Sequence, residues 1–249
     1  MKVHLICFEL LLWGGAFVRA LHGQTPAPTA DDVVATMLSR DGAREAASGG
    51  YTGQREYTLE NHRLKKHAEM MVSIICDGNG EKHFEVISED GWKSANKRVL
   101  RQMVETESES SRPQIRARNR INSENYSFRM IETISLEGRM AFVIEAIPKR
   151  EDKSLFRGRI WVDTEDYALA RVEGEPAKNP SFWTLSVHFI QQYQKSGTFW
   201  FPLLTTSVTN ARIFGTTDVS IRYFDYRPVS EAPNQTPDPS IWEAKNARH

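Results

Sequence analysis

The sequence predicts a mainly antiparallel α+β domain. Short turn signals recur along it, among them Asp77-Gly78-Asn79-Gly80, Glu137-Gly138, Thr164-Glu165-Asp166 and Lys195-Ser196-Gly197. The runs between those turns are rich in Val, Ile, Thr, Tyr, Phe and Trp, and several alternate apolar and polar residues. Helical spacing of apolar residues is confined to two segments. No helix separates the later strands, so they read as a meander of hairpins rather than parallel crossovers.

The elements follow in order. Thr29 caps a first helix with Asp32 three residues on, and Val33, Val34, Met37 and Leu38 share one face. Ser48-Gly49-Gly50 ends it, glycine tolerating the left-handed exit. Tyr51 to Leu59 alternates and is polar, as an edge or half-wet strand would be. Leu64 to Asp77 carries the dense apolar run MMVSIIC, and the following Gly-containing turn returns the chain along Glu81 to Ser88. Ala95 to Glu107 is helical, with Val99, Leu100, Met103 and Val104 on one side. The charged, Ser-rich stretch 105–120, with Arg112, Arg116, Arg118 and Arg120, reads as a solvated linker or frayed helix. An anionic headgroup is the alternative use of those arginines.

Strands are then expected over 126–135, 140–148, 159–163, 168–173, 182–194, 198–209 and 213–226. Trp183, Leu185, Val187, Phe189 and Tyr193 share one parity, which predicts one dry face. Met140 to Ile147 and Phe199 to Leu204 are apolar at both parities, and such strands need cover on both sides.

The ends are of different character. Lys2, the apolar Leu5 to Val18, and small residues at Ala20 and Gly23 make residues 1–23 a cleaved secretory signal by pattern. The apolar run is short of the roughly 20 residues that span a bilayer. Residues 24–30 form a Pro-containing tether, 31–228 one folded domain, and 229–249 a polar, Pro-rich tail expected to be disordered. Loss of the signal leaves 30 basic and 31 acidic residues, a balance that gives no footing for nucleic acid. Only Cys76 then remains, in an apolar run, where an inert buried thiol is expected.

The segment RGRIWVDTEDYALARVEGEPAKNPSFW, Arg157 to Trp183, resembles the LolA/LolB/RseB-like superfamily of periplasmic proteins, whose members include outer-membrane lipoprotein-sorting proteins. The likeness is specific over Gly158–Asp163 and Ala170–Trp183 and general from about Asp31 to Pro228. It implies a strongly curved, incomplete β-barrel covered by two or three helices, with an apolar interior able to hold acyl chains. Trp161, Trp183, Leu185, Phe189, Trp200 and Phe201 are then the candidates to line or rim that interior. The implied function is non-enzymatic carriage of a lipid or lipoprotein in the periplasm, part of outer-membrane biogenesis. The alternative is a sensor of envelope stress acting on a protein of the inner or outer membrane. A filled core with no cavity is what composition alone favours.

Chemistry-bearing patterns are sparse. Glu173 and Glu175 share a strand face, and Asp163, Glu165 and Asp166 surround a turn, where solvated turn acids are the ordinary reading. His62, His67 and His83 have no compelling ligand spacing. The sequence has no G-x-S-x-G elbow and no glycine-rich phosphate loop. No catalytic residue, metal site or cofactor is therefore assigned.

Overall fold

The computed structural model describes residues 27–229. The expected signal peptide, the first part of the tether and nearly all of the tail lie outside the described residues. The chain begins with α1 (Ala30–Ser48), where Thr29 and Asp32 satisfy each other's backbone N–H in a capping box and Gly49 closes the helix at φ 62°. Three strands follow: β1 (Tyr51–Asn61), β2 (Lys66–Cys76) and β3 (Lys82–Gly91). A helical connector then comprises α2 (Lys93–Ala95), a π turn (Asn96–Leu100), α3 (Arg101–Ser111) and α4 (Pro113–Asn119). Seven strands complete the fold: β4 (Tyr126–Leu136), β5 (Arg139–Pro148), β6 (Phe156–Asp163), β7 (Leu169–Pro176), β8 (Thr184–Ser196), β9 (Phe199–Ala211) and β10 (Gly215–Pro228).

All ten strands form one open antiparallel sheet, ordered β3-β2-β1-β10-β9-β8-β7-β6-β5-β4. Every neighbouring pair except β1 with β10 is a hairpin in sequence. The stretch 105–120, expected to be a linker or frayed helix, is helical through most of its length. Pro113 begins α4 at the position where its missing N–H costs nothing. Arg116 ties α4 down by donating to Glu45 of α1 at 2.5 Å and to the Asn79 carbonyl at 3.2 Å.

One row of directly paired residues crosses nine strands: Met130, Ile144, Ile160, Val172, Gln191, Thr205, Ile221, Tyr57 and Met70. Side chains in such a row share one face, so the row defines which residues meet the helices. At one end, Ile144, Ile160 and Val172 pack with Val33, Val34 and Met37 of α1. At the other end, Tyr57, Met70 and Ile221 pack with Ala95, Leu100 and Val104 of the connector. Both helical layers thus cover the same face. Gly158 and Gly174 oppose each other in the next row, where a Cβ on Gly158 would lie 2.0 Å from the Glu173 carbonyl oxygen. The strands approach there as only glycine permits.

The turn from β6 to β7 is the acidic motif Asp163–Tyr167, where Glu165 is solvated as the sequence suggests but Asp163 is not. Asp163 is 1% exposed. Its carboxylate accepts from Arg139 Nε at 2.6 Å and Nη2 at 2.8 Å, and from the Glu165 and Asp166 backbone N–H groups at 3.0 and 2.7 Å. Burial works against that charge, but these donors win and hold the carboxyl below its ordinary range. From α1, Arg40 donates to the Glu165 carbonyl at 2.8 Å and Arg44 to the Asp166 carbonyl at 3.1 Å. The turn is therefore gripped by β5 on one side and α1 on the other.

Removing Arg139 would leave a buried carboxylate short of two donors. Arg139→Ala is expected to lower the free energy of unfolding by about 2–3 kcal/mol in urea titrations. Arg139→Lys should restore only part of it, because lysine lacks the two-pronged geometry.

Candidate functional site

Between the two helical layers lie β8 and β9. On the face the helices cover, Val187, Phe189, Gln191 and Tyr193 of β8 and Thr205, Ser207 and Thr209 of β9 are half-buried. The same face of the flanking strands is closed: Ile160, Val172, Tyr57 and Ile221 are all under 7% exposed. The middle of this face, here termed the trough, is thus less covered than its flanks. Its floor mixes two aromatic rings with amide and hydroxyl groups. Phe189 sits opposite Gly174 and meets Phe156 edge to face at 5.9 Å. Thr205 and Tyr223 share a hydroxyl hydrogen bond of 2.9 Å.

The trough has a charged wall. Arg55, 1% exposed, donates to both oxygens of Glu107 at 2.6 and 3.0 Å and to the hydroxyls of Tyr226 and Tyr57 at 2.7 and 3.2 Å. Its guanidinium lies between the rings of Phe84 and Tyr223, at 5.1 and 4.8 Å. Lys82 donates to Glu107 at 2.8 Å. Burial opposes the Glu107 charge, yet Lys82 and Arg55 outweigh it and hold the carboxyl at about 2. Lys82 and Glu107 nonetheless keep 27% and 32% side-chain exposure.

Tyr193 stands beside Phe189 and packs against the α1-covered cluster. Burial pushes its phenol well above the ordinary value, and the groups that act on it electrostatically are Tyr223, Lys82, Asp41 and Glu107. These come from β10, β3, α1 and α3. Asp41 is itself raised, first by desolvation and then by Glu45 against Arg44, although its side chain is 69% exposed.

The six residues singled out from the sequence do not gather at one place. Phe189 stands on the trough floor. Phe201 packs with Tyr51, Phe199 and Tyr226 at 5.6–6.0 Å. Trp161 pairs with Val143 and Arg171 on the opposite face of the sheet, where its cluster includes Ala141, Ala170 and Trp200. Trp200 donates its indole N–H to Asp166 at 3.1 Å. Trp183 precedes β8, and Leu185 falls within a register shift between Thr184 and Ser186. That bulge breaks the parity that put them with Phe189, and both are more than half exposed.

Two other concavities lie on the opposite face. One, of about 120 Å³, is lined by Ala141, Asp163, Arg171, Gln192, Lys195 and Trp200. It is below the roughly 300–1,000 Å³ of ligand pockets. The other is an open depression of about 580 Å³ around Met71, Leu203, Leu204 and Phe224, crossed by the Arg222–Glu56 ion pair. The histidines do not converge: His62 pairs with Asp218, and His67 with Glu60 and Glu69. Asp77, Glu81 and His83 each bring one ligand atom to within 4.8 Å of the others. Asp77 Oδ1 already accepts the Asn79 and Glu81 backbone N–H groups, at 2.9 Å each. Cys76 is free and buried, with its thiol pushed up by burial.

Residues 120–226 match a family described as of unknown function, DUF5686. No curated protein matches the sequence. Among solved structures, the chain is similar to an outer membrane lipoprotein-sorting protein domain from Vibrio parahaemolyticus. The identity is 15%, covering 84% of this chain and 97% of that one, with a TM-score of 0.44. It is also similar to a LolA superfamily protein from Nitrosomonas europaea, at 11% identity, 81% and 94% coverage and a TM-score of 0.39. A chain of the MucA/MucB complex from Pseudomonas aeruginosa matches at 9% identity, 78% and 98% coverage and a TM-score of 0.27.

The Arg55–Glu107–Lys82 cluster yields a pH prediction. Glu107 titrates at about 2 in the folded protein. The unfolded value is about 4.3. Its folded value is therefore depressed, so its contribution is present above pH ~4.3 and lost as pH falls towards 2. Glu107→Gln should cost about 3–4 kcal/mol at pH 7 by stranding Arg55. The deficit should shrink in urea titrations carried from pH 7 down to pH 3.

Proposed function

We propose that this protein is a non-enzymatic periplasmic module, exported by a cleaved signal peptide, that shelters acyl chains of a lipid or lipoprotein in the trough over β8 and β9. The observation that carries this reading is the reach of α1. β2 and β7 are five strand positions apart. Along a flat sheet that is about 24 Å. Yet Arg44 of α1 donates to the Asp166 carbonyl of the β6–β7 turn at 3.1 Å, and its neighbour Glu45 accepts from Arg116, which also donates to the Asn79 carbonyl of the β2–β3 turn at 3.2 Å. Such proximity is what a strongly curled sheet, an incomplete barrel with the helices inside its curve, would produce. Phe189, Tyr193 and the flanking apolar clusters supply the dry contact, and Lys82 with its neighbours a place for a polar headgroup. A chain gaining roughly 0.8 kcal/mol per buried methylene would be held firmly and would need a release step.

A second reading, an envelope-stress sensor that binds a membrane protein, draws on the trough's polarity. Gln191, Thr205 and Ser207 offer hydrogen-bonding groups that a peptide backbone uses better than hydrocarbon does. Solvent extraction and mass spectrometry of the purified protein separates the two. Co-purified phospholipid or lipopeptide supports carriage; a lipid-free protein that captures one membrane protein supports sensing.

Two variants test the location. Phe189→Asp places a charge on the floor, and Ser207→Trp fills the space beside it while leaving the core intact. Each is expected to weaken binding of a fluorescent fatty acid by at least about tenfold. Wild-type affinity in a folded Ser207→Trp protein would remove the trough from consideration.

A further inference from the structure

At one end of the sheet, three connections lie side by side because β1 pairs with β10. They are the β1–β2 turn, the β9–β10 turn and the end of the β7–β8 loop. Arg63 of the first donates to the Ile213 carbonyl of the second at 3.0 Å, and Asn61 donates to the Phe214 carbonyl at 3.0 Å. The Arg212 N–H donates to the Trp183 carbonyl at 2.9 Å, and the Arg212 guanidinium lies 5.3 Å from the Phe182 ring. Together they expose large apolar side chains: Phe182 at 77%, Trp183 at 54%, Ile213 at 53%, Phe214 at 50% and Leu64 at 41%. Leu185, 52% exposed, follows directly.

The charge of this end is one-sided. Residues 62–66, 178–186 and 211–217 contain Arg63, Lys65, Lys66, Lys178 and Arg212 and no acid, in a chain of 32 basic and 32 acidic residues. The carboxylates that flank these turns in sequence pair with histidines, Asp218 with His62 at 2.8 Å and Glu60 with His67 at 2.5 Å. A water-facing tip gains nothing from baring Phe-Trp and Ile-Phe pairs. Aromatic rings interleaved with cations suit the boundary of an anionic bilayer, where rings sit at headgroup depth and cations meet phosphates.

We propose that this end of the sheet docks on the surface of an anionic phospholipid bilayer. Phe182, Trp183, Ile213 and Phe214 enter the interfacial layer, and Arg63, Lys65, Lys66 and Arg212 bind lipid phosphates. The docking is peripheral, through turns alone, and it stands independently of any cargo in the trough.

Sedimentation with vesicles tests it. The protein should pellet with phosphatidylglycerol-containing vesicles, more weakly as salt rises, and stay in solution with pure phosphatidylcholine. Lys65→Glu with Arg212→Glu should weaken the association by about 30-fold or more. Phe182→Ser with Trp183→Ser should abolish it, with urea melts of both variants unchanged. Ser207→Trp, which blocks the trough, should sediment as the native protein does, so loss of cargo binding and loss of docking are read separately. Native protein that remains in the supernatant with both vesicles overturns the proposal. So does a dimer in light scattering that Phe182→Ser/Trp183→Ser returns to monomer while vesicle binding is unaffected, which would assign the face to a second copy of the chain.

Discussion

The fold depends on one long-range pairing, β1 with β10. Every other neighbour in the sheet is joined by a local turn, so without it the chain would be a three-stranded and a seven-stranded meander. The pairing runs from Tyr51↔Pro228 to Asn61↔Thr217, with one irregularity near Gly53. It joins the α1-covered and connector-covered halves of one face and puts β8 and β9 between them. It also brings the β1–β2 and β9–β10 turns together at the basic, aromatic tip. Such a contact closes late and at high loop entropy, while the hairpins on either side need only local closure.

Two charged clusters fix geometry that apolar packing would leave free. Apolar contact is non-directional, so clusters of Ile and Val can slide. The two-pronged Arg139–Asp163 pair and the three-way Arg55–Glu107–Lys82 contact cannot, because each hydrogen bond has a required direction. The first holds the β6–β7 turn against α1 through Arg40 and Arg44. The second holds α3 against β1 and β3, with Ser108 and Ser111 also bonded to Lys82 backbone atoms at 2.8 and 2.9 Å. β8 and β9 lie between these two anchors in the strand order.

Much of the local structure was legible because local chemistry dictates it. Thr29 and Asp32, Gly49, Asp77–Gly80 and the alternating runs each name their own conformation. The charged clusters were not, because their partners lie far away in sequence: Arg55 and Glu107 are separated by 52 residues and Arg139 and Asp163 by 24. A signal was available for Arg55, which shares strand parity with Tyr57 and Leu59 and so sits on the apolar side of β1. The parity argument failed at Leu185 because a bulge inserts one residue, and nothing in Phe182–Ser186 marks it. The stretch 105–120 left linker and frayed helix open because Arg and Glu favour helix while its serines and Pro113 do not, and the tie from Arg116 to Glu45 lies outside any local pattern.

The placement of the aromatic residues gives the architecture its sense. A chain that merely needed a filled core would bury Phe182, Trp183, Ile213 and Phe214 and leave no half-open floor beside Phe189. Here the helix-covered face is dry at its flanks and half-covered in the middle, while large rings stand in water at one end, in turns whose own residues 62–66, 178–186 and 211–217 carry cations and no acid. The trough floor and the tip share strands: β8 carries Phe189 and begins at the loop bearing Trp183, and β9 carries Ser207 and ends at the turn bearing Phe214. Hydrogen-bonded strands transmit displacement along their length more faithfully than loops do. If the tip docks on a lipid surface and the trough holds an acyl chain, as proposed, β8 and β9 are the elements that connect the two.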